Sequence, residues 1–406
     1  MDKKELQKIV NPVYTTAKGT VMLLAGMGDK DAISLIPYIG TDEKGVKQEV
    51  PKEIQKCFMI AQRARYEMHN RAALASGSEN IVDLPSGYAP RGFRVSSEGK
   101  HYYGFDLPVV SDTMKAATEK TMTDEQLALT KYCAVDATNY ESMRKALDGV
   151  QGEICIVTEG MLGYFNEPEI VSFCRAIHRL LEEFGGSWIT ADMTSLAIYP
   201  LTFGTVLKGN QEIMTQLSKN IAANMADVEF YKNSLYLNGL DGALEFLRKQ
   251  GFNVKRESID VYLPDFADID PQLMQELRQA YSTMEMLTMT LADGGDQADK
   301  DSLDELKELP FKVESHIDGG VLNVKIQGRM DTITAPELLE EFKKAEGKVD
   351  AIKIDVSDMP YVSSAGLRVL LIMYKSLNDK SKFELTGVRP QVKEIFETTG
   401  FDQFLL

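Results

Sequence analysis

Five short apolar runs in the first half of the chain alternate with amphipathic stretches, and this alternation is the strongest constraint on the fold. Each run ends among Gly, Asp, Asn or Ser residues. In chain order the runs are NIVDLPSG, KHYYGFDLP, YCAVDATN, EICIVTEGM and SWITADMTS. Between them lie stretches such as EPEIVSFCRAIHRLLEEFG, whose apolar residues recur at helical spacing. Strands that alternate with helices predict an α/β fold with a mostly parallel sheet covered on both faces.

The length of 406 residues exceeds what one hydrophobic core normally supports, so two domains are expected. The composition changes within residues 291–310, where seven acidic residues, two lysines, a Gly-Gly pair and a closing proline occur together. Such a stretch is typical of a solvated linker, although an acidic surface loop inside one domain has the same composition. We predict a first domain over 1–292, an acidic linker over 293–310 and a second domain over 311–406.

Charge and cysteine content narrow the class of protein. The formal net charge of −16 argues against nucleic-acid binding, because phosphate neutralisation needs a basic face. No apolar run has the length of a membrane span or the form of a signal peptide. The cysteines lack CxxC pairing, which indicates reduced core thiols rather than disulfides or a metal site. These features predict a cytoplasmic protein without a metal.

The first strand run leads into a turn that contains glycine. Asp83 comes late in the strand, Gly87 lies in the turn and Arg91 follows it. Glycine at this position lets a ligand approach the backbone closely. The spacing is neither GxGxxG nor GxxxxGK[ST], so both a dinucleotide and a nucleotide bound by a phosphate loop are disfavoured.

Acidic side chains end the next three strand runs. Asp106 follows Gly87 by nineteen residues, a distance at which a carboxylate suits the two hydroxyls of a ribose. Asp136 ends the third run, where it could accept from an exocyclic amine such as that of adenine, and Glu159 ends the fourth. Open parallel sheets bind ligands beyond the carboxyl ends of their strands, so these acids predict a site for a nucleoside without phosphates. S-adenosylmethionine matches that description.

The phrases RARYEMHNRA, DLPSGYAPRGF, YYGFDLP, YCAVDATN and IVTEGMLGYFNEPEI are spread over residues 10–260. They resemble the leucine carboxyl methyltransferase family, including its bacterial polyketide O-methyltransferase-like members. The resemblance implies a Rossmann-type class I methyltransferase domain with S-adenosylmethionine as cofactor. It departs from the family's glycine turn at two positions, because Pro85 stands for the first glycine and Ala89 for an aspartate.

The resemblance also implies roles for individual residues. Gly87 and Asp106 would hold the methionine part and the ribose of the cofactor, and Asp136 would meet the adenine. Arg65, in the helix before the first strand, would pair with the carboxylate of the cofactor. The cofactor-binding candidates are Arg65, Asp83, Gly87, Arg91, Asp106, Asp136 and Glu159.

Glu159 and Tyr164 are the candidates for the reacting centre, since the resemblance is most specific in TEGMLGYF. Methyl transfer to an oxygen needs alignment more than acid–base help, so no catalytic dyad is required. We predict an O-methyltransferase that acts on a small carboxyl or hydroxyl acceptor. The alternative is a regulator without catalysis, whose first domain senses a metabolite or serves as a scaffold.

The chain from Phe311 onward carries its own pattern. FKVESHIDGGVLNVKIQGRM predicts a hairpin that turns at 318–320, and TAPELLEEFKKA predicts a helix opened by Thr334 with Glu337 three residues on. AIKIDVSDM and KFELTGV are strand-like, whereas SAGLRVLLIMYKSLN and PQVKEIFETTGF are helical. Ser364 therefore lies at the start of a helix, where a serine commonly caps a free backbone N–H.

The phrases GRMDTITAPELLEEF, IDVSDMPYVSSAGLRVLL and LTGVRPQVKEIFETTGF resemble, in running order, a STAS domain of the anti-sigma-factor-antagonist type. The resemblance implies phosphorylation at Ser364, with Ser363 less favoured, and a partner of the anti-sigma-factor or serine-kinase type. It departs from the family where Ser363 replaces an aspartate and Ala365 a second serine or threonine. A phosphate adds a charge of about −1.5 to −2 that a helix N-terminus tolerates, so partner binding would be lost without unfolding. The alternative is that the tail only brings copies of the chain together as a homo-oligomer.

Overall fold

The computed structural model describes residues 3–11, 17–40, 51–195, 197–208, 233–292 and 309–405. Contacts between these residues define two compact units, which we call the larger and the smaller domain. The larger domain contains the described parts of 15–165 and 170–296, and the smaller contains those of 1–14, 166–169 and 297–406. The first helix in chain order, α1 (Lys3–Val10), belongs to the smaller domain.

The larger domain is built on a seven-stranded, mostly parallel sheet. Its strands are β1 (Asn80–Asp83), β2 (His101–Asp106), β3 (Thr130–Ala134), β4 (Ile154–Thr158), β5 (Gly186–Thr190), β6 (Phe252–Ser258) and β7 (Glu285–Leu291). They lie in the order β3-β2-β1-β4-β5-β7-β6, and β7 runs antiparallel to both of its neighbours. The α/β class and the five predicted strands are confirmed, and these five follow the order of Rossmann-type folds.

Helices connect these strands and cover the sheet. They are α2 (Lys18–Gly26), α3 (Lys30–Ile39), α4 (Lys52–Ala75), α5 (Arg91–Ser97), α6 (Pro108–Thr121), α7 (Asp124–Ala128), α8 (Tyr140–Ala146), α9 (Glu167–Phe184), α10 (Asp192–Ser195), α11 (Ile198–Leu207), α12 (Gly239–Lys249) and α13 (Pro271–Tyr281). The helical spacing noted for α9 places Phe173 in the core, where its ring packs on Trp188 of β5 at 5.3 Å between centroids. Burial of this apolar face holds the helix on the sheet.

The smaller domain has its own four-stranded sheet. The strands are β8 (Lys312–Asp318), β9 (Val321–Gln327), β10 (Ala351–Asp358) and β11 (Phe383–Thr386), in the order β11-β10-β9-β8. The helices that follow α1 are α14 (Ala335–Ala345), α15 (Ser364–Ser376), α16 (Pro390–Thr399) and α17 (Asp402–Leu405). β8 and β9 form the predicted hairpin around 318–320, whereas β10 pairs in parallel with β9 and β11.

Thr334 precedes α14, but its side chain does not cap the helix as the sequence predicted. Its hydroxyl donates to the carbonyl of Arg329 and accepts from the N–H of Asp331, both at 2.8 Å. The carboxylate of Asp331 in turn accepts from the N–H groups of Ile333 and Thr334, both at 3.0 Å. The turn around Asp331 therefore takes the hydrogen bonds that a cap would have used, which is a common competition for such side chains.

The N-terminal helix α1 packs in the smaller domain. Leu6 and Val10 are 2% and 0% exposed and belong to the core formed by that domain. The predicted first domain, 1–292, included this segment, and the structure corrects that boundary. A helical pattern does not reveal which partner the apolar face of the helix contacts. The predicted linker stays a prediction, since residues 293–308 lie outside the described residues.

The four cysteines are free thiols, as the sequence predicted, and three of them are buried. Burial raises the pKa of Cys155 to about 11, so this thiol stays protonated at neutral pH. Along the described stretches of the chain, helices that combine the length and apolarity needed to cross a bilayer are absent.

Candidate functional site

The carboxyl ends of β1 and β2 bring Gly87 and Asp106 together. Asp106 accepts from the N–H of Gly87 at 2.8 Å through Oδ2 and from that of Leu107 at 2.7 Å through Oδ1. Gly87 has a φ of 54°, in the left-handed region that favours glycine. Each carboxylate oxygen has a second lone pair, so Asp106 keeps acceptor capacity for ligand hydroxyls. Burial raises the pKa of Asp106 to about 7, although the two N–H donors favour its charged form.

A buried ionic network lies between the ends of β1 and β4. Glu159 accepts from Arg65 Nε at 2.7 Å and from Arg91 Nη2 at 2.5 Å. Arg91 also donates to Asp83, whose second oxygen accepts from the Tyr102 hydroxyl at 2.8 Å. The side chains of Asp83, Arg91 and Glu159 are 0%, 3% and 8% exposed. The positive charges of two guanidinium groups therefore neutralise the negative charges of two carboxylates in the interior of the domain.

Glu159 is the centre of this network. Burial opposes its ionisation, whereas His69, Arg65 and Arg91 favour it, and the pKa of Glu159 falls to about 2. Arg65 thus has a protein partner, whereas the sequence predicted that it pairs with the cofactor. The amino-acid group of a ligand carries one carboxylate and one ammonium. The carboxylate could pair with Arg65 and the ammonium with Glu159, so the Arg65–Glu159 ion pair could open without leaving a buried charge unpaired.

The buried polar atoms in this part of the domain that lack a hydrogen-bond partner among the residues that the structure describes include His69 Nε2 and Ser86 Oγ. Ser86 immediately precedes Gly87, and His69 Nδ1 lies 3.8 Å from the carboxylate of Glu159. Buried polar atoms almost always have partners, so these atoms are candidates for contacts with a polar ligand. The acceptor oxygens of Asp106 and the charges of the Arg65–Glu159 pair are chemically compatible with the ribose and amino-acid groups of S-adenosylmethionine.

Asp136 lies at the same edge of the sheet, two residues after β3. Its Oδ1 accepts from the N–H and the hydroxyl of Thr138, at 2.7 and 2.5 Å, and the residue is 1% exposed. One carboxylate oxygen therefore stabilises the turn after the strand. The contact with adenine stays a prediction.

Asp192 also lies at this edge of the sheet, and it was not among the residues predicted from the sequence. It is 3% exposed, and its carboxylate accepts from three successive N–H groups of residues 160–162 at 2.6, 2.9 and 3.0 Å. It thereby holds the segment that follows Glu159 and carries Tyr164, which is half-buried in a single helical turn. Its position in the sequence could have identified it, since Asp192 ends the fifth strand run just as other acids end the first four.

The smaller domain places its two serines in different roles. Ser363 is the N-cap of α15: it is 1% exposed, and its Oγ accepts from the N–H of Gly366 at 3.3 Å. The capping role that the sequence offered for Ser364 is therefore wrong, because Ser363 has the extended backbone that a cap requires. Ser364 is the first helical residue and is partly exposed.

The N-terminus of α15 already holds an anionic oxygen. The N–H and the hydroxyl of Ser364 both donate to the carboxylate of Glu169, at 2.7 and 2.6 Å. Free N–H groups and the helix dipole favour negative charge at this position.

The four-stranded sheet, the hairpin and the serine pair at the start of α15 define the class of the smaller domain. Residues 312–406 match the family model for the STAS domain. Over 102 residues the chain is 32% identical to the anti-sigma-B factor antagonist of Listeria monocytogenes, which covers 24% of this chain and 83% of that protein. Through this domain the chain belongs to the STAS family, as its sequence predicted.

Two solved structures are similar over parts of the chain. An anti-sigma factor antagonist from Mycobacterium paratuberculosis shares 24% of this chain and 86% of its own, at 25% identity and a TM-score of 0.23. An O-methyltransferase family protein from Burkholderia thailandensis shares 60% of each chain, at 12% identity and a TM-score of 0.33. Overlaps of this size identify no activity, so the architecture of the larger domain is assigned from its own strand order.

Proposed function

We propose that the chain joins an S-adenosylmethionine-dependent O-methyltransferase to a STAS switch that is controlled by phosphorylation of Ser364. The observation that carries the first half is the meeting of Asp106 and Gly87 at the carboxyl edge of the larger sheet, at the same edge of the domain as the Arg65–Glu159 pair. The second half is supported by the STAS assignment and by the different positions of the two serines, since Ser363 caps α15 and Ser364 is partly exposed.

In this proposal the residues at this edge of the sheet each bind one part of the cofactor. Asp106 accepts from the ribose hydroxyls, while the backbone at Gly87 leaves room for close approach. Arg65 takes the carboxylate of the amino-acid group and Glu159 its ammonium. Asp136, at the next strand end, would accept from the exocyclic amine of the adenine. When bound, S-adenosylmethionine would supply an electrophilic methyl group.

The residues near the reacting centre have positioning roles. Tyr164 is held on the segment that Asp192 fixes, so its hydroxyl can align the acceptor beside Glu159. An acceptor carboxylate is already a nucleophile, and alignment then supplies most of the rate enhancement. We propose a small carboxyl or hydroxyl compound as the acceptor.

The cofactor proposal predicts a pH-dependent affinity. Asp106 must be ionised to accept from two hydroxyls, and its pKa is raised to about 7. Calorimetric titration of the full chain with S-adenosylmethionine is expected to show an affinity that rises by about tenfold from pH 6 to pH 8, as the ionised fraction grows. Asp106→Ala should remove detectable binding, and Asp106→Asn should remove the pH dependence. Absence of binding by the wild type at millimolar S-adenosylmethionine would exclude the proposed methyltransferase activity.

A second candidate function has an observation in its favour. The network of Arg65, Glu159, Arg91 and Asp83 is charge-balanced without any ligand, as expected for a domain that is stable without a cofactor. Pro85 also removes a backbone N–H from the turn that would face the ligand. In this case the larger domain is a metabolite sensor or a scaffold, and the STAS domain carries the activity of the chain as an anti-anti-sigma regulator.

The STAS half of the proposal concerns a protein partner of the anti-sigma-factor or serine-kinase type. Phosphoryl transfer from a nucleoside triphosphate forms the Oγ–P bond at Ser364, breaks the bond to the nucleoside diphosphate and releases the hydroxyl proton. The product carries a charge of about −1.5 to −2 in place of a neutral hydroxyl, and a partner that binds the unmodified surface would reject it.

Phosphorylation is expected at Ser364 and not at Ser363. Ser363 is buried, and its Oγ is engaged in the cap of α15, whereas Ser364 is partly exposed. The measurement is phosphopeptide mapping by mass spectrometry of the protein incubated with an anti-sigma-factor kinase, with Ser364→Ala as the matched control. Phosphate on Ser363 in the wild type, or labelling that persists in Ser364→Ala, would contradict the assignment.

A further inference from the structure

The N-terminal helix α1 covers part of the helical face of the STAS domain. It packs on α14 and α15, and its buried side chains Leu6 and Val10 are spaced four residues apart on one face. An isolated helix of eight residues is marginal in water, so α1 depends on these contacts for its structure.

Two hydrogen bonds hold the end of α1 in place. The guanidinium of Arg368 donates to the carbonyl of Val10, one of the last carbonyls of the helix, which have no partner inside it. The side chain of Asn11 donates to the carbonyl of Thr332 at 3.2 Å. A cation at a helix C-terminus is also favourable to the helix dipole, so Arg368 is a cap supplied by another segment.

Arg368 lies one turn after Ser364 on α15, at the spacing at which charged side chains of a helix meet. An anion on Ser364 would face Glu169, whose carboxylate now accepts from the Ser364 hydroxyl. Repulsion from Glu169 and attraction to Arg368 would both move the charged side chain at position 364 towards Arg368. The added charge would therefore compete with the Val10 carbonyl for the guanidinium.

We propose that α1 is an intramolecular ligand of the STAS domain, and that negative charge at Ser364 releases it by drawing Arg368 away from Val10. The proposal rests on the proposed function in that it takes Ser364 as the place where charge is added. Its consequence is that phosphorylation uncovers the apolar surface of α14 and α15 on which Leu6 and Val10 lie. The switch would then change two surfaces of the domain, the α15 N-terminus and the α1 site.

Hydrogen–deuterium exchange of the full chain tests this without a kinase or a cofactor. Ser364→Asp is compared with the neutral, equally sized Ser364→Asn, and the amides of residues 7–11 are followed. We expect Ser364→Asp to exchange about fivefold faster there, the factor for loss of one hydrogen bond, while β9 and β10 keep their protection. Arg368→Gln should give a similar acceleration, and adding Ser364→Asp to it should give no more. Arg368→Lys should retain part of the protection.

Equal exchange in Ser364→Asp and Ser364→Asn would overturn the proposal. Unchanged exchange at 7–11 in Arg368→Gln would overturn it as well, whatever the first variant does. These outcomes are independent of the proposed function. If Ser364 is phosphorylated but α1 keeps its protection, the release of α1 is disproved and the phosphorylation site is not. If α1 is released in the variants but Ser364 is not phosphorylated in the cell, the phosphorylation switch is disproved and the release of α1 is not.

Discussion

Replacement of Arg91 by leucine is expected to destabilise the larger domain by about 3–5 kcal/mol, the cost of leaving buried charges without a partner. Arg91 is 3% exposed in its side chain and contacts both Asp83 and Glu159. Its removal leaves Asp83 with the hydroxyl of Tyr102 and Glu159 with Arg65. The result is one uncompensated negative charge in the interior.

Trp188 is the single tryptophan and is buried in β5, so its fluorescence reports the unfolding of the larger domain in denaturant. Arg94→Leu is the matched control, because Arg94 lies on the same helix but is 47% exposed in its pair with Glu67. That change should cost less than about 1 kcal/mol. Equal effects of the two substitutions would show that the network contributes nothing to stability.

The cost of Arg91→Leu should shrink in acid. In the wild type the pKa of Glu159 is lowered to about 2, so its contribution to stability is present above its unfolded value near 4.5 and is lost as the pH falls towards 2. Burial already raises the pKa of Asp83 in the wild type, and Arg91 opposes that rise. Without Arg91 the pKa of Asp83 rises further, so the variant is least destabilised at a pH at which Asp83 is protonated. Denaturation series at pH 4 and pH 7 measure this difference. A loss of stability on Arg91→Leu that is larger at pH 4 than at pH 7 would contradict the conclusion that Arg91 pairs with ionised carboxylates.

Replacement of Gly366 by valine is expected to destabilise the smaller domain by about 3 kcal/mol through overpacking. A Cβ on Gly366 would lie 2.7 Å from Val362 Cγ2 and 2.9 Å from the carbonyl oxygen of Met330. The oxygen belongs to the backbone segment that pairs with Val362 and accepts from the N–H of Ser363 at 2.9 Å, so it cannot move without cost. Glycine at this position allows α15 to begin close to the neighbouring loop.

Native-state hydrogen exchange of the β10 amides measures this effect, with an expected acceleration of about 100-fold for the slowest amides. Gly204→Val is the matched control, since Gly204 is also a helical glycine but a Cβ there would meet nothing within 4 Å. Its own helix should keep or slightly gain protection, because valine is a better helix former than glycine. Protection of β10 that survives Gly366→Val would refute the packing argument.

The order of strands and helices could be predicted because it depends on local patterns. The apolar runs that end at Asp83 and Asp106 became β1 and β2, and the helical spacing around Phe173 became α9. The same patterns predicted that the acids at strand ends share one edge of the sheet. The partners of these acids could not be predicted, since Arg65 and Glu159 are 94 residues apart and their pairing depends on closure of the chain.

Local patterns also left two assignments open that the backbone conformation decides. Ser363 and Ser364 are both suitable caps by residue type, and only the extended φ and ψ of Ser363 make it the cap. Thr334 has the residue type of a cap as well, but the turn around Asp331 engages its hydroxyl.

The sequence alone determined that this chain has an α/β domain followed by a STAS domain, because hydrophobic periodicity and turn residues act within a few residues. The tertiary structure alone decided that α1 packs with a domain 300 positions away, that Arg368 caps it and that Glu159 lies between two arginines. Apolar spacing records which face of an element is buried. The choice of what buries it, and of which charges meet there, is made only when distant segments compete for the same surfaces.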